Sequence, residues 1–453
     1  MQDDWNRIEP AWAWTPFQAT GAAWDHRRAA HLMRRAGFCA TPREIHQAVE
    51  RGFDATLDLV FTPPESDSFD AEMDALGASI AAAQPAQRLA AWWMLRMVQT
   101  PWPLAEKMTL FWHGHFATSA AKVRDGRAMF AQNQTLRQMA LGPFGDLVQA
   151  ISRDVAMLIY LDSTDNRKTR PNENYARELL ELFCLGLDQY SEQDIKQLAR
   201  CFTGWEVRQG HFNFNPAQHD RGSKTLFGET GAFDGEEAVQ IVLSQPAAPR
   251  FIVRKLIRFF VADEVEIPDA LVEPLAAKLR ADDFRIEPLV RAILGSQLFF
   301  SEFAVGRKVR SPVELAVGLL RSLGTSANMD QLVETLETLG QLPLFPPNVK
   351  GWDGGRNWIN AATLLARQRL SRQLIEPVIG QSVTAMSRRG WSEIVRGDAA
   401  ALAERLCQLW LAADPPESVM NILRDAAAEP GELGRRLRNV ALTICVLPEF
   451  QLC

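Results

Sequence analysis

Apolar residues recur at helical spacing along almost the whole 453-residue chain, and this periodicity limits the possible folds more than any other feature of the sequence. Within residues 26–38 the apolar side chains up to Ala36 lie on one helical face, and Gly37, directly after them, signals the end of the helix. A new helix then begins, because Thr41 can cap it, Pro42 suits its first position and Glu44 completes a capping box. Short connections between successive helices indicate antiparallel neighbours. The sequence therefore predicts an all-α, bundle-like protein of many helices.

Two glycine-rich segments interrupt this periodicity. Residues 204–235 contain six glycines and alternate polar with apolar residues at His211–Phe214, which predicts a long irregular loop with one small β-hairpin. Residues 346–360, with the sequence PPNVKGWDGGRNWIN, are predicted to form a second irregular loop. Loops of about 30 residues are uncommon inside helical proteins and are often functional. The first loop is therefore a candidate for part of a functional site.

The helical pattern is interrupted again near the C-terminus, by the sequence GQSVTAMSRRG between Gly380 and Gly390. This interruption predicts two units. The first is a main helical domain over residues 1–380, which carries the candidate site, and the second is a C-terminal helical segment over residues 381–453 packed on it. No repeat of fixed period is visible, so a solenoid is not expected.

Composition and charge exclude several classes of protein. With 47% hydrophobic and 23% charged residues, the chain has the composition of a folded, soluble globular protein. Its 49 Lys and Arg residues against 55 Asp and Glu residues give a net charge of −6, so there is no basic excess to bind a phosphate backbone. The six cysteines are scattered without a C-x-x-C pair and are expected to be buried thiols. A nucleic acid is therefore not an expected partner.

The sequence also bears on membranes and export. No apolar run reaches the roughly 18 to 20 residues that a membrane-spanning helix needs. The first residues, MQDDWNRIEPAWAW, begin with acids and contain no apolar stretch after a basic start, which is unlike a secretory signal. We therefore expect no membrane span, and a cytoplasmic location by default or an exported protein if a signal has been removed.

The first candidate site lies in the segment EKMTLFWHGHFATS, where His113 and His115 flank Gly114. Side chains two positions apart on a helix point about 200° apart, so both imidazoles can bind one metal ion only if the helix ends at Gly114. Neutral imidazole is a common ligand of transition metals and titrates near neutral pH, which also suits a general base. The alternative is that both histidines hydrogen-bond loop carbonyls beneath neighbouring aromatic rings.

The second candidate site lies in the segment PNENYARELLELF. Glu178 and Glu181 share one face of the predicted helix, Arg177 lies at the edge of that face, and mostly apolar residues fill the remaining arc. Such a stripe suits a divalent cation held by oxygen ligands, or a buried ion-pair network. Glu173 and Arg177 are four residues apart, so a surface ion pair is the simpler explanation for them.

The two irregular loops supply the remaining candidates. In the first loop, the sequence HDRGSK contains His219, Asp220 and Lys224, which can complete a metal site or hold an anion. An exposed polar loop would have the same composition. In the second loop, Trp352 and Trp358 either stack on the ring of a ligand or pack within a crossing loop, and we expect the packed loop.

Five segments of the chain together resemble a known family. They are HLMRRAGFCATPREI, EKMTLFWHGHFATS, PNENYARELLELFCLG, YSEQDIKQLARCFTGW and PPNVKGWDGG. The family is the bacterial one known as domain of unknown function 1800, and the similar region reaches from about residue 26 to about residue 372. Cys184 departs from the family pattern, in which a small polar or apolar residue is expected.

The resemblance implies little about function. The family has no established activity, so it assigns no role to the candidate residues. Its genes often accompany those of an alkaline-phosphatase-like family, which implies a protein partner of that kind and work in export or at the cell surface.

The residues themselves favour a metal-dependent enzyme that carries out hydrolysis or group transfer. Imidazoles combined with carboxylates suit zinc, iron or manganese better than calcium or magnesium. Glu173 or a histidine that does not bind the metal would act as general base, and Arg177 or Lys224 would stabilise anionic charge. The predicted metal ligands are His113, His115, Glu178, Glu181, His219 and Asp220.

The competing hypothesis is a helical scaffold without catalytic activity that binds a partner protein, such as the alkaline-phosphatase-like one, through its Trp-rich loop. An enzyme predicts that the polar segments meet in one pocket that solvent can reach. A scaffold predicts that they pair internally and that an apolar patch is exposed elsewhere.

Overall fold

Helices form most of the structure, a computed structural model that describes residues 5–18, 23–64, 67–83, 85–379, 383–395 and 399–453. No helix among these residues is both long and apolar enough to cross a membrane. The α-helices of the first part of the chain are α1 (Pro10–Ala13), α2 (His26–Ala36), α3 (Pro42–Arg51), α4 (Phe53–Phe61), α5 (Asp67–Ala83), α6 (Ala86–Gln99), α7 (Pro103–His115), α8 (Ala120–Val123), α9 (Gly126–Gln138), α10 (Phe144–Ser152) and α11 (Val155–Tyr160).

The second part of the chain continues in the same way. One short α-helix runs directly into a π-helix over Leu179–Cys184. The α-helices here are α12 (Asn174–Glu178), α13 (Glu192–Cys201), α14 (Gly235–Ser244), α15 (Ala247–Phe260), α16 (Asp269–Ala281), α17 (Ile286–Leu294), α18 (Pro312–Leu323), α19 (Met329–Thr338), α20 (Ala361–Ile379), α21 (Val383–Met386), α22 (Ser392–Val395), α23 (Ala399–Trp410), α24 (Glu417–Ala428) and α25 (Leu433–Cys445).

Several helices begin with the capping chemistry expected from the sequence. The Thr41 side chain accepts a hydrogen bond from the Glu44 backbone N–H, and the Glu44 carboxylate accepts one from the Thr41 N–H at 2.8 Å. The same reciprocal box occurs at Ser191, Asp234 and Ser311. Each box satisfies two N–H groups that the start of a helix leaves without partners. The all-α prediction is confirmed.

The first glycine-rich segment forms two hairpins instead of the one predicted. In each hairpin both turn residues have positive φ, which a two-residue type I′ turn requires. The second hairpin is missed from the sequence because its strands are only three residues long and show no alternation. The antiparallel pairs are β1 (Trp205–Arg208) with β2 (His211–Phe214), and β3 (Lys224–Leu226) with β4 (Glu229–Gly231).

Helix α7 lies inside the protein. Residues 104–115 are all buried except Gly114. Its buried polar side chains are paired, as burial requires. The carboxylate of Glu106, for example, accepts hydrogen bonds from Arg96 at 2.7 Å and from Arg137 at 2.5 Å. The C-terminal end of this helix therefore brings His113 and His115 into the interior.

The C-terminal segment contacts the rest of the chain through the helix pairs α2 with α23 and α20 with α25. The Arg34 guanidinium donates a hydrogen bond to the Leu409 carbonyl at 2.9 Å across this contact. The predicted boundary residue Gly380 lies outside the described residues. The division of the chain at that point stays a prediction.

Candidate functional site

Helix α7 does not end at Gly114, as a metal ion shared by its two histidines would require. It continues to His115, because the Phe116 N–H still bonds the Trp112 carbonyl at 2.8 Å and extends the helical hydrogen bonding past the glycine. The two imidazoles therefore take different partners on different sides of the helix. The condition under which both histidines could bind one metal ion, a helix that ends at Gly114, is not met.

His113 ties the end of α7 to the chain that precedes the second irregular loop, residues 346–360, which we call the Trp loop. Its Nε2 accepts a hydrogen bond from the Leu344 backbone N–H at 3.1 Å, so the proton of the neutral ring is on Nδ1. The ring contacts Trp93 and Trp352. Burial lowers the pKa of His113 to about 3, which keeps the ring neutral.

His115 and Lys255 of α15 form a hydrogen-bonded pair. His115 Nε2 donates to the Phe183 carbonyl at 3.0 Å, so Nδ1 must accept, and Lys255 Nζ lies 3.0 Å from it. Lys255 Nζ also donates to the Leu182 carbonyl at 3.1 Å. Both carbonyls belong to the last turn of the π-helix that ends before Gly186, where helical carbonyls lack partners within the helix.

Lys255 is an amine in an unusual environment. Burial lowers its pKa to about 8, and the charge of Arg258 acts in the same direction. Its thiol neighbour Cys184 is also buried, which raises the pKa of that thiol. Among the residues that the structure describes, no carboxylate lies within 4 Å of Lys255 Nζ. The amine is therefore stabilised by an imidazole and a carbonyl and not by a counterion.

Lys255 and His115 line a cavity of about 330 Å³, which we call the α7–α15 cavity. Aromatic side chains form part of its wall: Phe111, Phe259, Trp352 and Trp358. The charged side chains that line it, besides Lys255, are Arg258, Asp263, Lys308, Glu314, Lys350 and Asp353. A cavity with aromatic walls and a few converging polar groups is the usual form of a small-molecule site.

A buried ion cluster borders this cavity. The Glu314 carboxylate accepts hydrogen bonds from Lys107 Nζ at 2.5 Å, from Lys308 Nζ at 2.8 Å and from the Ser311 backbone N–H at 2.8 Å. Burial alone would raise the pKa of Glu314, but the two ammonium groups outweigh burial and hold it well below its usual range. One carboxylate therefore holds two buried cations, and the cluster carries a net positive charge.

The Trp loop approaches the end of α7 very closely. Gly351 has φ 81°, and a Cβ atom at this position would lie 2.3 Å from the Gly114 carbonyl oxygen. Only glycine permits this contact, which holds Trp352 against the His113 ring. Two of the segments singled out in the sequence therefore meet at the α7–α15 cavity, and the Trp loop is packed as expected.

The acidic stripe lies at the edge of the same region. Glu178 and Glu181 are partly buried, and Glu181 accepts a hydrogen bond from the Tyr190 hydroxyl at 3.0 Å. Burial and then the charge of Glu181 raise the pKa of Glu178, while the charge of Arg177, followed by that of Lys350, a residue that lines the cavity, opposes the rise. Lys350 thus links the stripe electrostatically to the cavity.

The neighbouring residues Glu173 and Arg177 face the surface. The Arg177 guanidinium binds the Glu192 carboxylate at 2.9 and 3.1 Å and lies 3.8 Å from that of Glu173. The i,i+4 contact is the ion pair that the sequence suggests as the simpler explanation.

The His219 segment contacts α13 and the hairpins instead of the cavity. His219 Nδ1 lies 2.9 Å from the Thr203 carbonyl, and Asp220 accepts a hydrogen bond from Arg200 at 2.7 Å, which lowers the pKa of Asp220. Lys224 is buried and donates to the Asp220 and Phe233 carbonyls at 2.6 and 2.7 Å. These contacts fold the loop back on itself.

The predicted metal ligands thus lie in three places: His113 and His115 on opposite sides of α7, Glu178 and Glu181 on the stripe, and His219 and Asp220 in the loop. In the part of the chain that the structure describes, no group of three or more His, Cys, Asp or Glu side chains is arranged to hold a metal ion.

Sequence reasoning missed Lys255, Lys308 and Glu314. Lys255 lies in IVRKLIRFF, where basic residues at helical spacing indicate an ordinary solvated face. Glu314 is visible only as the last residue of the capping box that begins at Ser311. Lys255 and His115 are 140 positions apart along the chain, so no local sequence pattern indicates that their side chains meet.

Comparison with known proteins gives one match. The sequence model of a family described as protein of unknown function (DUF1800) matches residues 31–452, which is nearly the whole chain. No curated protein and no solved structure matches. The family match extends beyond residue 372, which is about the last residue of the region that the five sequence motifs indicate.

Proposed function

Because the chain belongs to DUF1800, a family whose description assigns no activity, we propose its function from the α7–α15 cavity alone: it is an enzyme that holds a small organic anion there and acts on it with the Lys255 amine. The observation that carries this proposal is the environment of Lys255. The amine lines the cavity, is held by His115 and a helix-end carbonyl, and has no carboxylate within 4 Å among the described residues. Burying an amine without a counterion lowers the stability of the folded protein. Lysines in such an environment are typically functional.

The charges around the cavity favour an anionic ligand. The charged nitrogens of Lys255, Arg258 and Lys350 have no carboxylate within 4 Å in the described part of the chain. Of the three carboxylates that line the cavity, Glu314 is already bound by two ammonium groups, Asp353 is exposed to solvent, and Asp263 accepts a hydrogen bond from the Val309 N–H at 3.3 Å while burial raises its pKa. A carboxylate or phosphate entering the cavity therefore meets cations that lack a nearby counterion.

The walls of the cavity favour a ligand with a planar or apolar part. Trp352 is partly buried and Trp358 buried, and both line the cavity with Phe111 and Phe259. Aromatic faces bind planar groups by stacking, while the polar groups fix their orientation. A small aromatic or unsaturated organic acid combines both features.

The proposal is tested by thermal unfolding in the presence of benzoate, pyruvate, lactate and phenyl phosphate. A ligand that binds only the folded state raises the melting temperature with its concentration. We expect at least one of these anions to do so. The double variant Arg258→Ala/Lys350→Ala should bind it about tenfold more weakly, because two lost charge contacts of about 0.5–1 kcal/mol each amount to that factor.

The matched control is Arg250→Ala/Lys278→Ala, which removes the same charge from exposed positions on α15 and α16. It should bind as the wild type does. The proposal fails if none of the four anions raises the melting temperature of the wild type, or if both double variants lose the effect equally.

A metal-dependent hydrolysis or group transfer is the second proposal. It is favoured by Glu178 and Glu181, two partly buried carboxylates three positions apart, which suit a divalent cation such as zinc, iron or manganese. Elemental analysis of the purified wild type and of Glu178→Gln/Glu181→Gln tests it. Near-stoichiometric metal in the wild type alone supports this proposal, and its absence after reloading with each metal contradicts it.

Binding of an alkaline-phosphatase-like partner protein is the alternative to an enzyme. The exposed large apolar side chains that the structure describes lie on separate segments: Trp12, Leu59, Leu76, Leu187, Phe214, Leu365, Ile422 and Val446. The Trp loop packs against α7 and lines a cavity. These features favour a small-molecule ligand over a protein partner at this loop.

A further inference from the structure

Resting on the proposed function, we infer that Lys255 forms an imine with the carbonyl group of a 2-oxo acid bound in the α7–α15 cavity. The substrate class follows from two requirements that the cavity sets. It must carry an anionic group for Arg258 and Lys350, and an electrophilic carbon for a neighbouring amine. A 2-oxo acid places both on adjacent carbons.

The hydrogen bonds of Lys255 prepare it for attack on a carbonyl. His115 Nδ1 can only accept, because Nε2 donates to the Phe183 carbonyl, and the Leu182 carbonyl can only accept as well. A neutral amine has two N–H groups, and these two acceptors engage both of them. The lone pair of the nitrogen then takes no part in these two hydrogen bonds. The Lys255 side chain, which carries it, lines the cavity.

The surroundings of Lys255 increase the fraction of neutral amine near neutral pH. Burial lowers its pKa to about 8, so about a tenth of the molecules carry the lone pair at pH 7 and about half carry it at pH 8. The imidazole of His115 is itself neutral, because burial holds its pKa well below 6.5. The charged and titratable groups on the surrounding elements are His115 on α7, Cys184 on the π-helix, Arg258 on α15, Asp263 between α15 and α16, Lys308 before α18, Glu314 on α18, and Lys350 and Asp353 on the Trp loop.

The chemistry balances without a redox partner. The nitrogen lone pair forms a bond to the carbonyl carbon, the C=O π electrons move to oxygen, and a proton lost by nitrogen is taken up by that oxygen. A nitrogen electron pair then forms the C=N bond as the C–O bond breaks, and the hydroxyl leaves as water with the second proton of the nitrogen, so the overall change is amine plus ketone to imine plus water. The carboxylate of the substrate stays on the cationic side of the cavity throughout.

Reductive trapping tests the inference. The full-length protein is incubated with pyruvate and sodium cyanoborohydride at pH 7, digested, and its peptides are analysed by mass spectrometry. The hydride reduces the imine to a stable secondary amine. We expect the adduct on Lys255 to form on the order of tenfold faster than on the exposed Lys278, and its rate to rise as pH increases towards 8.

The controls separate this inference from the proposed function. Lactate has the charge and size of pyruvate but a hydroxyl in place of the ketone, so it should raise the melting temperature and give no adduct. Lys255→Arg keeps a positive charge but has no nucleophilic amine, and its trapping should be lost with unchanged helical content by circular dichroism.

The outcomes are distinguishable. If pyruvate and lactate both bind the wild type and no adduct forms on Lys255, or if Lys278 is labelled as fast, the imine is excluded and anion binding remains. If neither acid binds and no adduct forms, the imine is excluded, and the proposed function fails as well only if benzoate and phenyl phosphate also leave the melting temperature unchanged.

Discussion

Replacing Glu314 by Gln is expected to lower the free energy of unfolding by about 3–5 kcal/mol, because breaking a buried ion cluster leaves charges without compensation. Glu314 is the carboxylate that holds Lys107 and Lys308, and all three side chains are buried. The amide of Gln keeps the shape of the side chain but cannot neutralise either ammonium group. Both lysines must then lose their protons or draw water into the core beside the cavity.

The pH dependence of this effect has a definite sign. The pKa of Glu314 in the folded protein lies well below its usual value of 4.5. Its stabilisation is therefore complete above about pH 4.5 and is lost as the pH falls through the lower, folded-state pKa. The difference in stability between the wild type and Glu314→Gln should narrow on acidification below pH 4.5.

Urea denaturation followed by circular dichroism measures both quantities. Glu273→Gln is the matched control, since Glu273 pairs with Arg250 at the surface, where such a change has an effect of about 1 kcal/mol or less. Equal midpoints for the two variants at pH 7 would contradict the assignment of Glu314 as the centre of a buried cluster.

Replacing Gly351 by Ala is expected to destabilise the protein by about 3 kcal/mol. The new Cβ would lie 2.3 Å from the Gly114 carbonyl oxygen, so the backbone of the Trp loop or of α7 must move. The positive φ of 81° adds strain of about 1–2 kcal/mol for any residue with a Cβ. Movement of the loop also displaces Trp352 from the cavity wall.

Alanine substitutions at two nearby glycines separate the effect of the steric clash from that of the backbone strain. Gly354 has φ 76° and open space around its Cβ position, so Gly354→Ala should show only the strain. The Cβ position of Gly114 is also open, so Gly114→Ala should show no clash and stabilise the helix by about 0.5–1 kcal/mol. Thermal or urea unfolding of the three variants checks the order. A Gly351→Ala protein as stable as Gly354→Ala would show that the two segments do not meet as described.

Much of the fold is predictable because its determinants are local. The capping box at Thr41 and Glu44 and the all-helical class depend on residues within a few positions of one another. The second hairpin escapes prediction, since the turn at Phe227 and Gly228 joins strands too short to show a period. The membership of the chain in DUF1800, suggested by five motifs, is confirmed over a longer region than those motifs cover.

The candidate site is predictable only in part, because it is assembled from distant segments. The sequence identifies the segment around His113 and His115, but only the fold shows that His115 meets Lys255 and that His113 anchors the Trp loop. Gly114 looks like a helix end in the sequence, whereas the feature that needs a glycine is the approach of Gly351 to its carbonyl.

The location of the ligand is tested most directly by diffraction from crystals soaked in 4-bromobenzoate, whose bromine gives an anomalous signal. We expect a bromine peak inside the α7–α15 cavity beside Trp352, with the carboxylate within hydrogen-bond distance of Lys255 Nζ or the Arg258 guanidinium. Occupancy should be lost in crystals of Arg258→Ala/Lys350→Ala. Bromine peaks only outside the cavity, or none at saturating concentration, would contradict the assignment of this cavity as the binding site.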